Sequence, residues 1–239
     1  MLSYQTFQAN PSSDYKRGLK AGLPIAIGYL PIALTFGLLS KTYGLPFMDS
    51  VGMSLFVFAG ASQFMALSML TMGTSGFELI LATFVINIRH LLMSASISEK
   101  STPEAKWKKA FYAFGITDET FSVASLSKDE LTSSYMYGLI TMAYGSWVVS
   151  TGIGFGIGSS LPHILQKSMG IALYAMFIGL IVPSLKKHRK VVVLFISSAF
   201  LSTVFSLVLS TGWAIVTATL LSSILVEVFT YRREEKLDA

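Results

Sequence analysis

Polar side chains inside long apolar runs are the residues of this sequence best placed to do chemistry, and Arg89 is the foremost of them. Arg89 lies about 13 residues into the apolar run 76–97, roughly 20 Å along the axis if the run is helical. Asn87 and His90 are three residues apart and would share one helix face. A charge at this depth in a bilayer is costly, which indicates an anion-binding or proton-handling site. The alternative is a structural arginine that binds backbone carbonyls of a broken neighbouring helix.

Two adjacent carboxyl groups, Asp118 and Glu119, lie in a second apolar setting. Burial favours the neutral form of a carboxyl group, so such a group can take up and release a proton, or accept hydrogen bonds from an ammonium group. Thr117 directly precedes the pair, and Gly115 allows the backbone to bend there. The alternative is an amphipathic surface helix whose acids lie in water. Because Arg89 and these acids are complementary and lie on consecutive segments, we predict a shared site.

Gln63 and several helix-breaking residues complete the candidate site. A buried amide in lipid needs a hydrogen-bonding partner, and small neighbours let backbones approach closely, so Gln63 fits a binding role and a packing role equally. The first apolar run contains two prolines, which interrupt helical hydrogen bonding, so it is predicted to be a discontinuous helix at a substrate site. The predicted broken or bent backbone positions are Pro24, Gly28, Pro31, Gly60 and Gly115.

The composition indicates the environment of these groups. Of the 239 residues, 52% are hydrophobic and 13% are charged, and the mean hydropathy is +0.61. Soluble domains carry about 25% charged residues, so this much apolar surface requires lipid as its solvent. We therefore predict an all-α integral membrane protein, a polytopic helical bundle. The net charge is +5, but Lys and Arg occur mostly in short loops and tails, where they set membrane orientation rather than bind nucleic acid.

Several kinds of chemistry are not expected. The sequence has no cysteine, which removes disulfides, thiolate chemistry and Cys-based zinc sites. The motifs of serine hydrolases and zinc proteases do not occur, and the glycine-rich stretch near residue 154 lacks the context of a phosphate-binding loop. We therefore predict no catalytic residue, no metal and no cofactor, and we do not expect an enzyme.

Apolar runs of about 20 residues, the length of a membrane-spanning helix, recur along the chain. The clear ones cover residues 18–40, 51–72, 76–97, 135–159, 169–185, 191–210 and 212–230. A weaker run, residues 110–127, is short and has the two acids at its centre. The prediction is therefore 7–8 transmembrane segments in a single transmembrane domain, residues 18–230. A polar N-terminal segment, residues 1–17, precedes this domain, and a tail, residues 231–239, follows it.

The distribution of basic residues predicts the orientation of the chain, because Lys and Arg are enriched on the cytoplasmic side. It slightly favours seven spans plus a re-entrant or surface helix at residues 110–127, with the N-terminus outside. With eight spans the N-terminus is inside. Both arrangements place the C-terminal tail, residues 231–239, in the cytoplasm.

A faint internal repeat is also visible. A Leu-Pro pair precedes an apolar run at residues 45–46 and again at residues 161–162. Transporters often consist of two such repeats. The repeats would be residues 18–97 and 134–210, joined by residues 98–133. The alternative is chance recurrence in a glycine-rich chain.

Four motifs occur in an order that resembles the AzlC family, over residues 18 to about 125. The first is Gly22-Leu23-Pro24 with Gly28-Tyr29-Leu30-Pro31 and Phe36-Gly37, and the second is Phe58-Ala59-Gly60-Ala61-Ser62-Gln63-Phe64. The third is Asn87-Ile88-Arg89-His90, and the fourth is Phe114-Gly115-Ile116-Thr117-Asp118-Glu119-Thr120-Phe121. The resemblance implies the large subunit of a bacterial exporter of branched-chain amino acids (Leu, Ile and Val, with Met as a further candidate). It also implies a small membrane partner resembling the AzlD family and a multi-pass location in the bacterial cytoplasmic membrane.

A mechanism consistent with both lines is secondary export of a zwitterion that has an apolar side chain. Such a substrate needs a cation, an ammonium acceptor and an apolar pocket. Arg89 and the broken first run would bind the carboxylate, and Asp118 or Glu119 would bind the ammonium group or a coupling proton. The alternative is a channel or accessory membrane subunit for another small solute, in which the buried charges hold the fold.

Overall fold

The computed structural model describes residues 11–157 and 184–235, together with residues 162, 164, 171, 175, 178, 179, 181 and 182. Every secondary-structure element in this part of the chain is a helix. The helices are α1 (Pro11–Thr42), α2 (Phe47–Phe56), α3 (Gly60–Thr71), α4 (Gly76–Lys100), α5 (Lys106–Ala113), α6 (Asp118–Ser125), α7 (Ser133–Ile157), α8 (Arg189–Phe205) and α9 (Thr211–Glu235).

Four of the described helices, α1, α4, α7 and α9, are long and apolar enough to cross a membrane. They correspond to four of the predicted runs: 18–40, 76–97, 135–159 and 212–230. The run 191–210 forms α8, which has 17 residues. Most of the run 169–185 and part of the repeat 134–210 lie outside the described residues. The total number of crossings, the repeats and the domain boundaries therefore stay predictions.

The prediction that the first run is a broken helix at Pro24, Gly28 and Pro31 is wrong. α1 is one helix of 32 residues with both prolines inside it. An interior proline costs a helix about 3 kcal/mol or more, because one backbone hydrogen bond is lost and the ring crowds the preceding turn. Gly28 has nothing within 4 Å of the place where a Cβ would lie, so it makes no close contact that requires glycine.

Close packing against α7 explains why α1 continues through its prolines. Five glycines make this contact, because a Cβ on any of them would lie within 2.7 Å of a backbone carbonyl oxygen of the other helix: Gly18, Gly22, Gly37, Gly138 and Gly154. Gly18 precedes both prolines of α1 and Gly37 follows them. Small residues that let backbones approach are a common means of packing membrane helices. The backbone of α1 therefore packs against α7 both before and after the two prolines.

Helix breaks occur instead in two other runs. The second apolar run is divided into α2 and α3, and residues 110–127 are divided into α5 and α6. Gly60 is the first residue of α3, and Gly115 lies between α5 and α6, so both lie at breaks as predicted. A Cβ on Gly115 would overlap the side chain of Ile140 in α7, which explains why glycine suits this position.

The described chain divides into two compact units. The first contains residues 11–63 and 87–157, in which α2, α5 and α6 pack with the α1–α7 pair. The second contains residues 64–86 and 184–235. In it α8 packs with α9, and a buried cluster is formed by Met69, Ala82 and Val216. Every predicted site residue lies in the first unit.

Candidate functional site

The break between α2 and α3 places Phe58 in the left-handed region of backbone space, at φ 44°. A helix that begins after a break has amide groups without intrahelical partners in its first turn. Here the N–H of Ala59 donates to Oε1 of Gln63 over 3.3 Å. Gly60 makes room for the indole of Trp147, since a Cβ on Gly60 would lie 2.7 Å from that ring. The side chain of Gln63 therefore takes part in forming the break.

The amide of Gln63 is fully buried and bonded on both sides. Its Oε1 also accepts from Nε1 of Trp147 over 3.1 Å, and its Nε2 donates to Oγ of Ser54 over 3.1 Å. Oγ of Ser54 lies 2.8 Å from Oγ1 of Thr151, which donates to the carbonyl oxygen of Trp147 over 2.9 Å. These four residues form a closed amide network that joins α2, α3 and α7. The sequence is equally consistent with a binding role and a packing role for Gln63, and these contacts support the packing role.

The break between α5 and α6 ends in a capping box. Oγ1 of Thr117 accepts from the N–H of Thr120, and Oγ1 of Thr120 accepts from the N–H of Thr117 over 2.7 Å. This cap fixes the start of α6 at Asp118, so that Asp118 and Glu119 occupy its first turn. The helix dipole favours negative charge in that turn. The acids are therefore positioned by local hydrogen bonds that the Thr-Asp-Glu-Thr sequence itself supplies.

Arg89 of α4 reaches this charged turn. Its Nη2 lies 2.9 Å from Oδ2 of Asp118, and the two side chains retain 40% and 29% exposure. The pairing expected from their complementary charges is thus present. Nε of Arg89 is buried and donates to no described residue. His90 is the next residue of α4 and is partly buried.

Asn87 lies on α4 just before Arg89. Its Nδ2 donates to Oγ of Ser62, in the first turn of α3, over 3.0 Å. Its Oδ1 is buried and accepts no hydrogen bond from the described residues. Buried polar atoms are normally paired with protein or water, so each exception calls for an explanation. α4 thus offers an unused acceptor on Asn87 and an unused donor on Arg89.

Tyr29 of α1 connects the two breaks. Its hydroxyl donates to Oε2 of Glu119 over 2.5 Å and lies 2.7 Å from Oγ1 of Thr117. Its ring packs edge-on against Phe58 at 6.3 Å and against Trp147 at 5.1 Å between centroids. Tyr29 is not among the site residues predicted from the sequence. A phenol in an apolar run nevertheless carries a signal, because a buried tyrosine hydroxyl usually finds a partner.

Aromatic rings meet where the two breaks approach each other. The ring of Phe58 lies 5.1 Å from that of Tyr144 and 6.4 Å from that of Phe114. With Tyr29 these residues form the aromatic cluster (Tyr29, Phe58, Phe114 and Tyr144). Phe58 is 2% exposed and Phe114 is 48% exposed. These rings are not among the site residues predicted from the sequence, because aromatic residues are frequent throughout the chain.

These elements bring a cation, two acids, a phenol hydroxyl and apolar rings together in the first unit. Within residues 11–157 and 184–235, no three His, Asp or Glu side chains are grouped so that they could hold a metal ion. Helices of spanning length with paired charges beside an interrupted helix define a helical membrane protein able to contact a polar solute.

Comparison with known proteins gives the family. The model of the AzlC protein family matches residues 24–161, more than half of the chain, and this stretch contains every predicted site residue. The inner membrane protein YgaZ of Escherichia coli is 32% identical over 190 residues, which cover 76% of this chain and 78% of that protein. The chain belongs to the AzlC family.

Two other relatives extend this comparison. A membrane protein of Archaeoglobus fulgidus, described as uncharacterized, is 32% identical over 223 residues, 90% of this chain and 94% of that protein. The branched-chain amino acid transport protein AzlC of Bacillus subtilis is 26% identical over 171 residues, 70% of this chain and 66% of that protein. No solved structure matches the chain.

Proposed function

We propose that this protein is a secondary transporter that exports branched-chain amino acids from the bacterial cytoplasm, together with a small membrane partner resembling the AzlD family. Membership of the AzlC family and the name of the Bacillus subtilis relative support the substrate class. The resemblance to exporters supports the outward direction. The C-terminus would face the cytoplasm, as the basic residues near it indicate.

The ion pair between Arg89 and Asp118 is the observation that carries the proposal, with its 2.9 Å separation and partial exposure. A free amino acid presents one carboxylate and one ammonium group. Substrate binding would exchange partners, so that the substrate carboxylate takes Arg89 and its ammonium group takes Asp118. An uncompensated charge in a membrane site is costly, and this exchange leaves each charge paired before and after binding.

The unused polar atoms on α4 fit the same substrate. Nε of Arg89 can donate to the carboxylate, and Oδ1 of Asn87 can accept from the ammonium group. The aromatic cluster would contact the apolar side chain of the substrate. Polar groups that fix orientation beside an apolar wall are the usual composition of a small-molecule site.

Glu119 is the proposed coupling group. It accepts a hydrogen bond from Tyr29 and makes no ion pair with Arg89, so its protonation need not break the pair that binds substrate. A proton gradient would then drive export through Glu119. If Glu119→Gln still accelerates leucine efflux in response to an imposed pH gradient, this assignment is wrong.

The test is efflux of labelled leucine from dipeptide-loaded cells that express this chain with its presumed partner, normalised to membrane abundance. Arg89→Gln and Asp118→Asn are each expected to reduce efflux by at least about tenfold, because a hydrogen bond to a charged group contributes about 1.5–3 kcal/mol. The matched control is the exposed ion pair of Lys190 with Glu227, 2.5 Å apart, since Lys190→Gln should leave efflux unchanged.

Two outcomes would contradict the proposal. Wild-type efflux by both variants at normal abundance would remove Arg89 and Asp118 from the site. A fall in membrane abundance with unchanged efflux per molecule would favour the alternative function, in which a channel or accessory subunit uses these charges only to hold its fold.

A further inference from the structure

Phe58 has a backbone conformation that its residue type disfavours. At φ 44° a residue with a Cβ is crowded by its own carbonyl, and glycine, asparagine or aspartate usually occupies such positions. Residues held in costly conformations persist only where their surroundings fix them, and they concentrate at functional sites. Gly60 follows two residues later, yet the position with the positive φ is occupied by Phe58, which has a large side chain.

The surroundings fix Phe58 from both sides. The N–H of the next residue, Ala59, is held by Gln63, whose amide is locked in the amide network. The ring of Phe58 is 2% exposed and is surrounded by Tyr29, Tyr144 and Phe114, which come from α1, from α7 and from the loop between α5 and α6. The break therefore places the ring of Phe58 among the three other rings of the aromatic cluster, which come from three other segments and are called the cage below.

Two walls of this cage also border the charged turn. Tyr29 touches Phe58 with its ring and Glu119 with its hydroxyl. Phe114 contacts Phe58 and lies four residues before Asp118. A substrate whose charged groups replace the Arg89–Asp118 contact would have its side chain next to this cage.

We propose that the ring of Phe58 sets the upper size of the substrate side chain, by filling the part of the aromatic cluster that the ring of an aromatic amino acid would otherwise occupy. This inference rests on the proposed function. With Phe58 in place, aliphatic side chains fit beside the cluster and aromatic amino acids are excluded. Phe58 is a specificity-determining residue and takes no part in binding the charged groups.

The test replaces the ring of Phe58 by the ring of a substrate. Phe58→Ala removes a benzyl group from a cage of apolar rings, and a cavity of that kind stays dry and accepts a benzene-sized guest. We measure efflux of labelled phenylalanine and labelled leucine in the same cells and take their ratio, which is independent of protein abundance. The ratio should rise at least about tenfold over wild type, because small size differences in an apolar pocket change discrimination by about 10–200-fold.

Phe56→Ala is the matched control. Phe56 is the same residue type two positions earlier and is 82% exposed, so its loss should leave the ratio at the wild-type value. Phe58→Gly is the second test variant, since it removes the same ring and also tolerates φ 44° without strain. Phe58→Leu, which removes only part of the ring volume, should give a smaller rise in the same direction.

The outcomes separate this inference from the proposed function. Leucine export by wild type with an unchanged ratio in the Phe58 variants would overturn the role of Phe58 alone. An equal rise in Phe56→Ala would overturn it too, since the effect would then be unspecific. Absence of leucine export by wild type at normal abundance would overturn the proposed function and this inference with it.

Discussion

The first unit has two helix breaks, one between α2 and α3 and one between α5 and α6. At both, side chains form hydrogen bonds with the free backbone groups, but the breaks differ in how many exposed or unpaired polar atoms they retain. At the break between α2 and α3, Phe58 and Gln63 are 2% and 0% exposed, and every side-chain polar atom of the amide network has a partner. At the break between α5 and α6, Asp118 keeps 29% exposure, and its partner Arg89 has an unused Nε.

This difference indicates a division of labour. Neutral hydrogen bonds in a low-dielectric interior are strong, and a closed ring of them specifies one arrangement. A charged pair with exposed edges and unused atoms can exchange its partners for those of a ligand. The break between α2 and α3, the closed break, therefore positions other groups. The break between α5 and α6, the open break, is the one suited to contact a solute.

The largest loss of stability is expected from disrupting the amide network at the closed break. Gln63→Leu leaves the backbone N–H of Ala59 and the indole N–H of Trp147 buried without an acceptor. Each such donor costs about 1–3 kcal/mol, so the free energy of unfolding should fall by about 4 kcal/mol. Thermal unfolding of the purified protein in detergent measures this, and membrane abundance should fall with it.

A double-mutant cycle sharpens that result. Trp147→Phe removes the indole donor together with its need for an acceptor, so the combination with Gln63→Leu should cost less than the sum of the two single changes. Strict additivity would show that the bond between Gln63 and Trp147 contributes nothing specific, and the amide network would lose its assigned role.

An intermediate effect is expected from crowding the same break. Gly60→Ala would place a Cβ 2.7 Å from the indole of Trp147, a ring held by Gln63 and Tyr29, so it should destabilise by about 1–3 kcal/mol. Gly52→Ala in α2 is the matched control, because nothing lies within 4 Å of that Cβ. It should stabilise the helix by about 0.5–1 kcal/mol. Melting temperatures that shift in the same direction for both variants would contradict the close contact.

The smallest effect is expected at the open break. Thr117→Val removes the cap of α6, which accepts from the N–H of Thr120, and a lost N-cap costs about 1 kcal/mol. Thr117→Ser keeps the hydroxyl and should retain wild-type stability. If Thr117→Val destabilises more than Gln63→Leu in the same thermal assay, the open break carries the fold and the contrast between the two breaks is reversed.

The charged part of the candidate site could be predicted from sequence because a charge inside an apolar run needs a partner, and few are available. This argument predicts Arg89, Asp118 and Glu119 as site residues, and the structure places Arg89 against Asp118. Their roles in transport stay predictions. Phe58 could not be found in this way, because an apolar ring in an apolar run looks the same whether it faces lipid or a site. Tyr29 and Trp147 each carry one polar group that needs a partner when buried, but the sequence does not show which aromatic residues are buried.

The sequence by itself determined that this is a helical membrane protein, because the length and polarity of an apolar run are local properties that lipid reads directly. It also determined where α6 begins, since Thr117 and Thr120 cap each other. Only the tertiary structure decided which helices are broken. Pro24 and Pro31 stay helical because α7 holds α1 on both sides, and α2 ends beside Phe58 because an indole 84 residues away from Gln63 completes the bonding there. The free-energy cost of a lost backbone hydrogen bond depends on which other groups pair with or pack against that backbone. In this protein those groups come from distant parts of the chain.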